Sequence, residues 1–237
     1  MDAKTGFTAS RRRFLQQGGV LAAAAALLGP AQLLAAEPTK AAEVDVTPTE
    51  DLMREHGVLR RLMLMMDDLG RRLQGSAEFP LSALTQIASL SHRFIQDYHE
   101  KDEEEYLFPR FEKAGKLTDL VQVLKAQHQA GRKLMADLEG RATAANLKNP
   151  GERQIIGAIL SSFIRMYGPH AAWEDTVLYP AFRSVITPRE FVALGDKFED
   201  KEQELFGQDG FEKIVVQVAG LEKQLGLFDL SQFTPKG

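Results

Sequence analysis

The sequence predicts an all-α protein: an up-down-up-down four-helix bundle with additional C-terminal helices. Three observations lead to this fold. Apolar residues recur at helical spacing through residues 48–185, and no stretch alternates with a period of two for long enough to form a sheet. Short polar or glycine-containing breaks separate the long amphipathic segments. Long helices with short connections pack as antiparallel neighbours, which gives the predicted topology.

The first predicted helix begins after Thr47 or Thr49. Threonine followed closely by proline and acidic residues is typical of a helix start, and the segment "GSAEFP" ends the helix. A stripe along this helix includes apolar residues spaced seven apart. Its members are Leu52, His56, Leu59, Met63, Met66 and Leu73.

Three further helices complete the predicted bundle. The second covers residues 81–111, the segment "KAGKLTD" separates it from the third, and "ATAANLKNPGE" separates the third from a fourth at about residues 153–184. The stripe of the third helix consists of Leu117, Val121, Leu124, His128, Met135 and Leu138.

Residues 186–237 are predicted to form a helical extension that packs on the bundle of residues 48–185. Thr187, Pro188 and Glu190 give a fifth helix a capped start, and "DGFEKIVVQVAGLEKQLG" predicts a sixth. The tail "LFDLSQFTPKG" has no periodic pattern.

The first 36 residues have the layout of an export signal. Basic residues in "SRRRFLQ" precede the short apolar run "GGVLAAAAALLG", and the pattern Ser-Arg-Arg-x-Phe-Leu resembles a twin-arginine signal with Arg11 and Arg12 as the pair. We therefore predict a signal at residues 1–36, a linker at 37–47 and export to the periplasm by the twin-arginine machinery. No clean Ala-x-Ala cleavage site follows the apolar run, and Leu34-Ala35-Ala36 is a substitute for it. A lasting membrane partner is expected only if the signal stays uncleaved.

Composition excludes several classes of function. The chain has 237 residues, a net charge of −4 and no basic patch outside its N-terminus, so nucleic acid is not an expected partner. It contains no cysteine, which excludes disulfides, zinc-thiolate sites and iron–sulfur clusters. Any metal must therefore be bound by nitrogen and oxygen.

Histidines and acids form a twofold internal repeat. His56 and His99 are separated by 43 residues, and His128 and His170 by 42, each of the four lying on the stripe of a different helix. After His99 and His170 the same offsets carry a glutamate (+4), a second acid (+5), a leucine (+8) and a proline (+10). The repeated residues are Glu103 and Glu174, Glu104 and Asp175, Leu107 and Leu178, and Pro109 and Pro180.

This repeat predicts a metal site in the bundle core. Residues four apart lie one turn apart on the same helix face. Buried carboxylates cost several kcal/mol without a cation, whereas a dinuclear centre removes that cost. Helix-end charges with incidental core histidines are the alternative, which two matched copies disfavour. The predicted ligands are His56, His99, Glu103, His128, His170 and Glu174; such ligands favour iron or manganese, with zinc possible.

These motifs together resemble the hemerythrin-like (HHE cation-binding) family over roughly residues 48–185. The motifs are "REHGVLRRL", His-x-x-x-Glu, "QHQAGRKL" and a second His-x-x-x-Glu. The resemblance implies a four-helix bundle around two non-haem iron ions with an oxo or hydroxo bridge, with manganese or zinc less favoured. It implies His56 and His99 on one iron, His128 and His170 on the other, and bridging carboxylates from Glu103 and Glu174.

The chain departs from oxygen-carrying hemerythrins on the third helix. Those proteins have two histidines four residues apart, whereas the neighbours of His128 at these offsets are Leu124 and Arg132. One iron is then short of a nitrogen ligand, and water, substrate, a tyrosine or another acid are the alternatives for that position.

Three functions follow. The first is an exported di-iron protein that binds or senses oxygen, peroxide or nitric oxide. The alternative is a di-iron oxidoreductase of the peroxidase, nitric oxide or ferroxidase type that uses the under-ligated iron. The third is a helical module that binds a partner through its C-terminal helices. No catalytic residue is assigned beyond the metal ligands.

Neighbouring residues receive supporting roles. Glu104 and Asp175 point off the ligand face and are predicted to orient imidazoles. His92 is expected in the core or supporting the ligands, and Tyr106 in core packing. The other charged residues of "HEKDEEEY" are predicted to be solvated: Glu100, Lys101, Asp102 and Glu105.

Overall fold

A computed structural model describes residues 46–75 and 81–235, and these residues contain helices and no strand. This confirms the all-α prediction. The helices are α1 (Pro48–Gln74), α2 (81–114), α3 (Thr118–Arg141), α4 (Ala144–Lys148), α5 (150–182), α6 (Pro188–Phe206) and α7 (Gly210–Leu225), followed by a 3₁₀ turn at Leu230–Phe233.

Capping boxes begin two helices at threonines that the sequence singles out. Before α1, the Thr47 hydroxyl accepts from the Glu50 amide (3.4 Å), while Glu50 Oε2 accepts from the Thr47 amide (2.9 Å). Thr187 and Glu190 repeat this exchange before α6. Each box gives partners to amides that have none within the helix, so both helix starts are specified locally.

Helices α2 and α5 widen into π-helix beside the repeated prolines. The π segments Glu103–Leu107 and Glu174–Leu178 end just before Pro109 and Pro180. Proline has no amide hydrogen and crowds the carbonyl four residues earlier, which usually breaks a helix. Here the amides just before the prolines bond to carbonyls five residues back, at Glu103 and Glu174, and both helices continue.

Two apolar clusters enclose a polar layer along the helices. α1 packs against α2 and α5, and α3 packs against α5 and α2. One cluster includes Leu62, Phe94 and Phe163, and the other includes Leu52 and Phe182. His56, His99 and His128 fall between the residues that their helices contribute to the two clusters, and His170 lies at the edge of the first cluster. The layer is therefore shielded from solvent on both sides.

The C-terminal helices extend both clusters. Phe191 and Phe198 of α6 join one cluster, and Ile214 and Val218 of α7 join the other. Both helices contact α1. Within residues 46–75 and 81–235, no helix is both long and apolar enough to cross a membrane.

Two details of the predicted helices were wrong. Leu117 is not part of the buried stripe of α3, because it precedes the helix in a left-handed conformation (φ 50°) and is 36% exposed. The predicted break after α3 contains the short helix α4, which begins where Thr143 caps the amide of Asn146 at 3.2 Å.

Candidate metal centre

Six polar side chains from four helices meet in the layer between the apolar clusters. α1 and α3 contribute one histidine each, while α2 and α5 each contribute a histidine and a glutamate. None is more than 4% exposed. They are the six predicted ligands: His56, His99, Glu103, His128, His170 and Glu174.

The Nε2 atoms of the imidazoles face the two carboxylates. Glu174 Oε2 lies 3.3 Å from His56 Nε2 and 3.1 Å from His170 Nε2. Glu103 Oε2 lies 3.4 Å from His128 Nε2 and 3.7 Å from His99 Nε2. Each carboxylate is therefore close to imidazoles of both halves of the repeat.

The donor atoms are close enough to share a cation. One atom from each of Glu103, His128, His170 and Glu174 lies within 4.8 Å of the others. The His56 ring is 4.7 Å from that of His99 between centroids, so these two imidazoles form a second pair beside this group.

Several inward-facing atoms make no hydrogen bond. They are both carboxylate oxygens of Glu174, Oε2 of Glu103 and Nε2 of His99. A buried carboxylate oxygen without a hydrogen bond is costly, because folding removes it from water without replacing its partner. A cation placed among these lone pairs would supply that partner, so the residues present fit a bound metal.

Each imidazole is oriented by a bond at its other nitrogen. These Nδ1 atoms lie 2.7–3.1 Å from a side-chain oxygen of another helix, which turns Nε2 inward. The pairs are His56 with Asp175, His99 with Glu55, His128 with Glu104 and His170 with Gln127.

The sequence identified two of these four supporting residues. Glu104 and Asp175 occupy the predicted role beside His128 and His56. Glu55 and Gln127 were missed, although a signal was available. Each immediately precedes a repeat histidine, and each accepts from the histidine of the neighbouring helix in its own half.

The internal repeat extends to outer contacts. Arg60, four residues after His56, pairs with Asp175, and Arg132, four residues after His128, lies 2.7 Å from Glu104. The aromatic residues nine positions after His99 and His170 each stack on a histidine of the other half of the repeat. Phe108 lies 5.5 Å from His128, and Tyr179 lies 5.5 Å from His56.

Tyr179 breaks the symmetry inside the centre. Its hydroxyl donates to Glu103 Oε1 at 2.8 Å and lies 3.4 Å from His56 Nε2, whereas its counterpart Phe108 has no polar atom. Sequence reasoning missed Tyr179 as a site residue. The available signal was the Phe/Tyr difference at equivalent positions of the repeat.

Glu100 and Asp102 are buried, so the prediction that they are solvated was wrong. Glu100 accepts from the hydroxyl of Tyr167 and lies 2.8 Å from Arg132. Asp102 accepts from Lys201 of α6 at 2.5 Å. These partners come from distant parts of the chain, which is why the local acidic pattern did not reveal them.

The residues four positions before and after His128 on α3 supply no additional metal ligand. Leu124 is apolar and belongs to the core. The guanidinium of Arg132 is occupied by Glu100 and Glu104, and it has no lone pair to offer because it stays protonated.

The predictions for His92 and Tyr106 have different outcomes. His92 is not in the core. It is 48% exposed and lies 3.2 Å from Glu139, so its stripe position is covered only by surface charges. Tyr106 packs against Phe198 of α6 at 5.8 Å between ring centroids, in agreement with a packing role.

Protons occupy the centre when no cation is bound. Burial opposes protonation of His56, but the nearby carboxylates of Asp175 and Glu174 outweigh burial and raise its pKa to about 9. Burial likewise opposes protonation of His128, but Glu100 and Glu103 raise its pKa to about 10. Burial and the charge of Glu174 raise the pKa of Glu103 to about 8. A metal must therefore displace protons to bind.

Gly131 on α3 allows Tyr167 to reach Glu100. A Cβ atom on this glycine would lie 2.0 Å from the Tyr167 hydroxyl oxygen. Tyr167 is buried and packs against Phe163, whose ring centroid is 4.3 Å away. The glycine is thus required by close packing beside the centre.

Buried imidazoles and carboxylates on four helices, without any thiolate, define a helical metal-binding protein. The chain matches the hemerythrin HHE cation-binding domain over residues 47–182 and belongs to that family. Two relatives, uncharacterized proteins of Mycobacterium bovis and Mycobacterium tuberculosis, are each 47% identical over 199 residues, which cover 84% of this chain and 78% of the relative. No solved structure matches the chain.

We expect the metal-free protein to lose stability as the pH rises from 7 to 10. The folded-state pKa values of His56, His128 and Glu103 lie above their unfolded values, so their stabilising contributions are complete at low pH and disappear as the pH passes about 8, 9 and 10. Thermal unfolding across this range measures the effect, with metal-loaded protein as the control. A melting temperature that stays constant or increases would contradict the assignment.

We expect Gly131→Ala to destabilise the protein by about 1–3 kcal/mol, because the new methyl group displaces Tyr167. Gly140→Ala on the same helix is the matched control, since a Cβ there meets nothing within 4 Å, and it should stabilise by about 0.5–1 kcal/mol. Chemical denaturation measures both. Equal stability of the two variants would show that Gly131 is not required by packing.

Proposed function

We propose that this chain is an exported four-helix-bundle protein, of up-down-up-down topology, that holds two iron ions and binds or senses oxygen, peroxide or nitric oxide. His56 and His99 would bind one ion and His128 and His170 the other, with Glu103 and Glu174 between them. One observation carries the proposal: two imidazole pairs surround two buried carboxylates whose oxygens lack hydrogen bonds.

The donor set suits iron or manganese, and the choice of iron rests on the family resemblance. Imidazole and carboxylate ligands without sulfur suit iron, and manganese or zinc are the alternatives. When bound, an iron pair supplies two adjacent redox-active cations that accept a small diatomic or peroxide ligand.

The chain's own residues prepare the centre. The four Nδ1 bonds hold each imidazole with Nε2 inward, so little conformational entropy is lost when a metal binds. Tyr179 holds one oxygen of Glu103 and leaves the other facing the imidazoles. The apolar clusters exclude bulk water, which strengthens every charge interaction inside.

A second candidate function is a di-iron oxidoreductase. The observation that favours it is the lack of a second α3 histidine together with a phenol, Tyr179, inside the centre. A phenolic hydroxyl can donate a proton to a reacting ligand. Peroxide or nitric oxide turnover well above that of free iron would support this candidate, and turnover equal to free iron would exclude it.

Periplasmic localisation is part of the proposal and rests on the sequence alone. Residues 1–36, with the twin-arginine pattern, lie outside the described residues. The twin-arginine machinery exports folded proteins, which suits a protein that receives its metal before export.

We expect the purified full-length chain, loaded with ferrous iron, to contain about two irons per chain. His99→Ala and His170→Ala should each lower that content, because each removes a nitrogen donor from a different imidazole pair. Metal analysis by mass spectrometry measures the content. His92→Ala is the matched control, since this histidine lies at the surface.

Retention of iron in both the His99 and His170 variants, or zero to one iron in the parent protein, would contradict a di-iron centre. Circular dichroism of each variant separates loss of metal from loss of fold.

We expect Arg11→Lys combined with Arg12→Lys to abolish export, because the paired arginines are the signal that the twin-arginine machinery reads. Cell fractionation and immunoblotting measure the periplasmic share. Arg13→Lys is the control and should leave export unchanged. Continued export of the double variant would show that another route is used.

A further inference from the structure

An open pocket of about 420 Å³ lies between α3 and α5, beside the buried centre. Most of its wall is apolar and comes from Leu120, Val123, Leu124, Pro169 and Trp173. The volume far exceeds the ~30 Å³ of a water-sized molecule and falls within the ~300–1,000 Å³ of pockets for small organic ligands. The pocket is therefore larger than a diatomic ligand requires.

Trp173 gives the pocket an aromatic wall that is open to solvent. Its indole is 55% exposed, and Val123 across the pocket is 53% exposed. Indole is a large apolar group that normally gains from burial, and its π-system packs favourably with other aromatic rings. A planar aromatic molecule would cover both exposed groups.

Polar groups at the pocket restrict the charge of its ligand. Asp119 supplies a carboxylate, and Gln127 supplies an amide whose oxygen accepts from His170 Nδ1 at 2.8 Å. The amide nitrogen of Gln127 can donate to a ligand oxygen, while Asp119 can accept from a hydroxyl. Among the residues that the structure describes, no lysine or arginine lines the pocket, so an anion would meet the carboxylate of Asp119 without a compensating cation.

We propose that this pocket binds small, uncharged aromatic alcohols of the phenol class. The ring packs on Trp173 and the aliphatic wall, and the hydroxyl accepts from the side-chain amide of Gln127. The carboxylate of Asp119, eight residues earlier on α3, disfavours anions. The pocket lies beside the metal centre, shares the side chain of His170 with it and does not require a metal. Its ligand nevertheless contacts Gln127 and His170, which link the pocket to the centre.

Calorimetric titration of the purified full-length chain tests the class of ligand, with phenol as the probe. Cyclohexanol has the same size and hydroxyl but no aromatic ring, and benzoate keeps the ring but carries a negative charge. We expect saturable binding of phenol and about tenfold weaker binding of both comparison compounds. Equal affinity for cyclohexanol or benzoate, or no saturable heat with phenol, would overturn the proposal.

Two variants and the fluorescence of Trp173 test the location. The chain has one tryptophan, so a change in tryptophan emission on phenol binding reports this pocket. Val123→Asp places a charge in the wall and should weaken phenol binding about tenfold or more. Val216→Asp, at a 71% exposed valine of α7, is the matched control and should bind phenol normally. Equal binding by the two variants would overturn the location.

The test of the phenol pocket can fail or succeed independently of the test of the di-iron centre. Phenol binding that follows these expectations in a chain without two irons would refute the di-iron centre and support the pocket. Two irons in a chain that gives no phenol binding would do the reverse.

Discussion

The structure depends on compensating the charge of two buried carboxylates. Glu103 and Glu174 have no exposure to water, and three of their four oxygens make no hydrogen bond. Such groups destabilise a core unless positive charge faces them. The structure surrounds them with four imidazoles that turn their Nε2 atoms toward the same space. Two of these, His56 and His128, have raised pKa values and hold protons when metal is absent.

The twofold repeat explains how one layer collects so many polar groups. Each half contributes a histidine pair, a carboxylate, an arginine-bound acid and an aromatic ring that stacks on the other half. The π segments Glu103–Leu107 and Glu174–Leu178 begin at the two carboxylates, and a further π segment of α2, Ser91–His99, ends at a central histidine. Both helices are therefore locally widened beside the centre. The apolar clusters on either side keep this layer dry, and the C-terminal helices complete those clusters.

The sequence predicts what depends on local spacing. The helices follow from apolar periodicity and caps, and the six central residues follow from His-x-x-x-Glu repeated beside two stripe histidines. The supporting role of Glu104 and Asp175 follows from their position on the helix, one residue beyond the ligand glutamates and therefore off the ligand face. The spacing of helical residues determines all of these.

What the sequence did not predict depends on tertiary contact. Burial of Asp102 requires Lys201 from α6, and burial of Glu100 requires Tyr167 from α5. His92 has a stripe position but is half-exposed and lies beside Asp97 and Glu139. The pocket at Trp173 arises from the gap between α3 and α5, which no pattern in either segment encodes.

Membership of the hemerythrin HHE cation-binding family and the buried His/Glu cluster support metal binding by this chain. The central claim of the proposed function is that the six central residues hold a pair of metal ions. X-ray absorption at the iron edge of the iron-loaded chain tests this claim most directly. For a pair of iron ions held by these residues, we predict that iron has nitrogen and oxygen neighbours only, with imidazole scattering and a resolved iron–iron vector. A spectrum of isolated iron without imidazole scattering would contradict it.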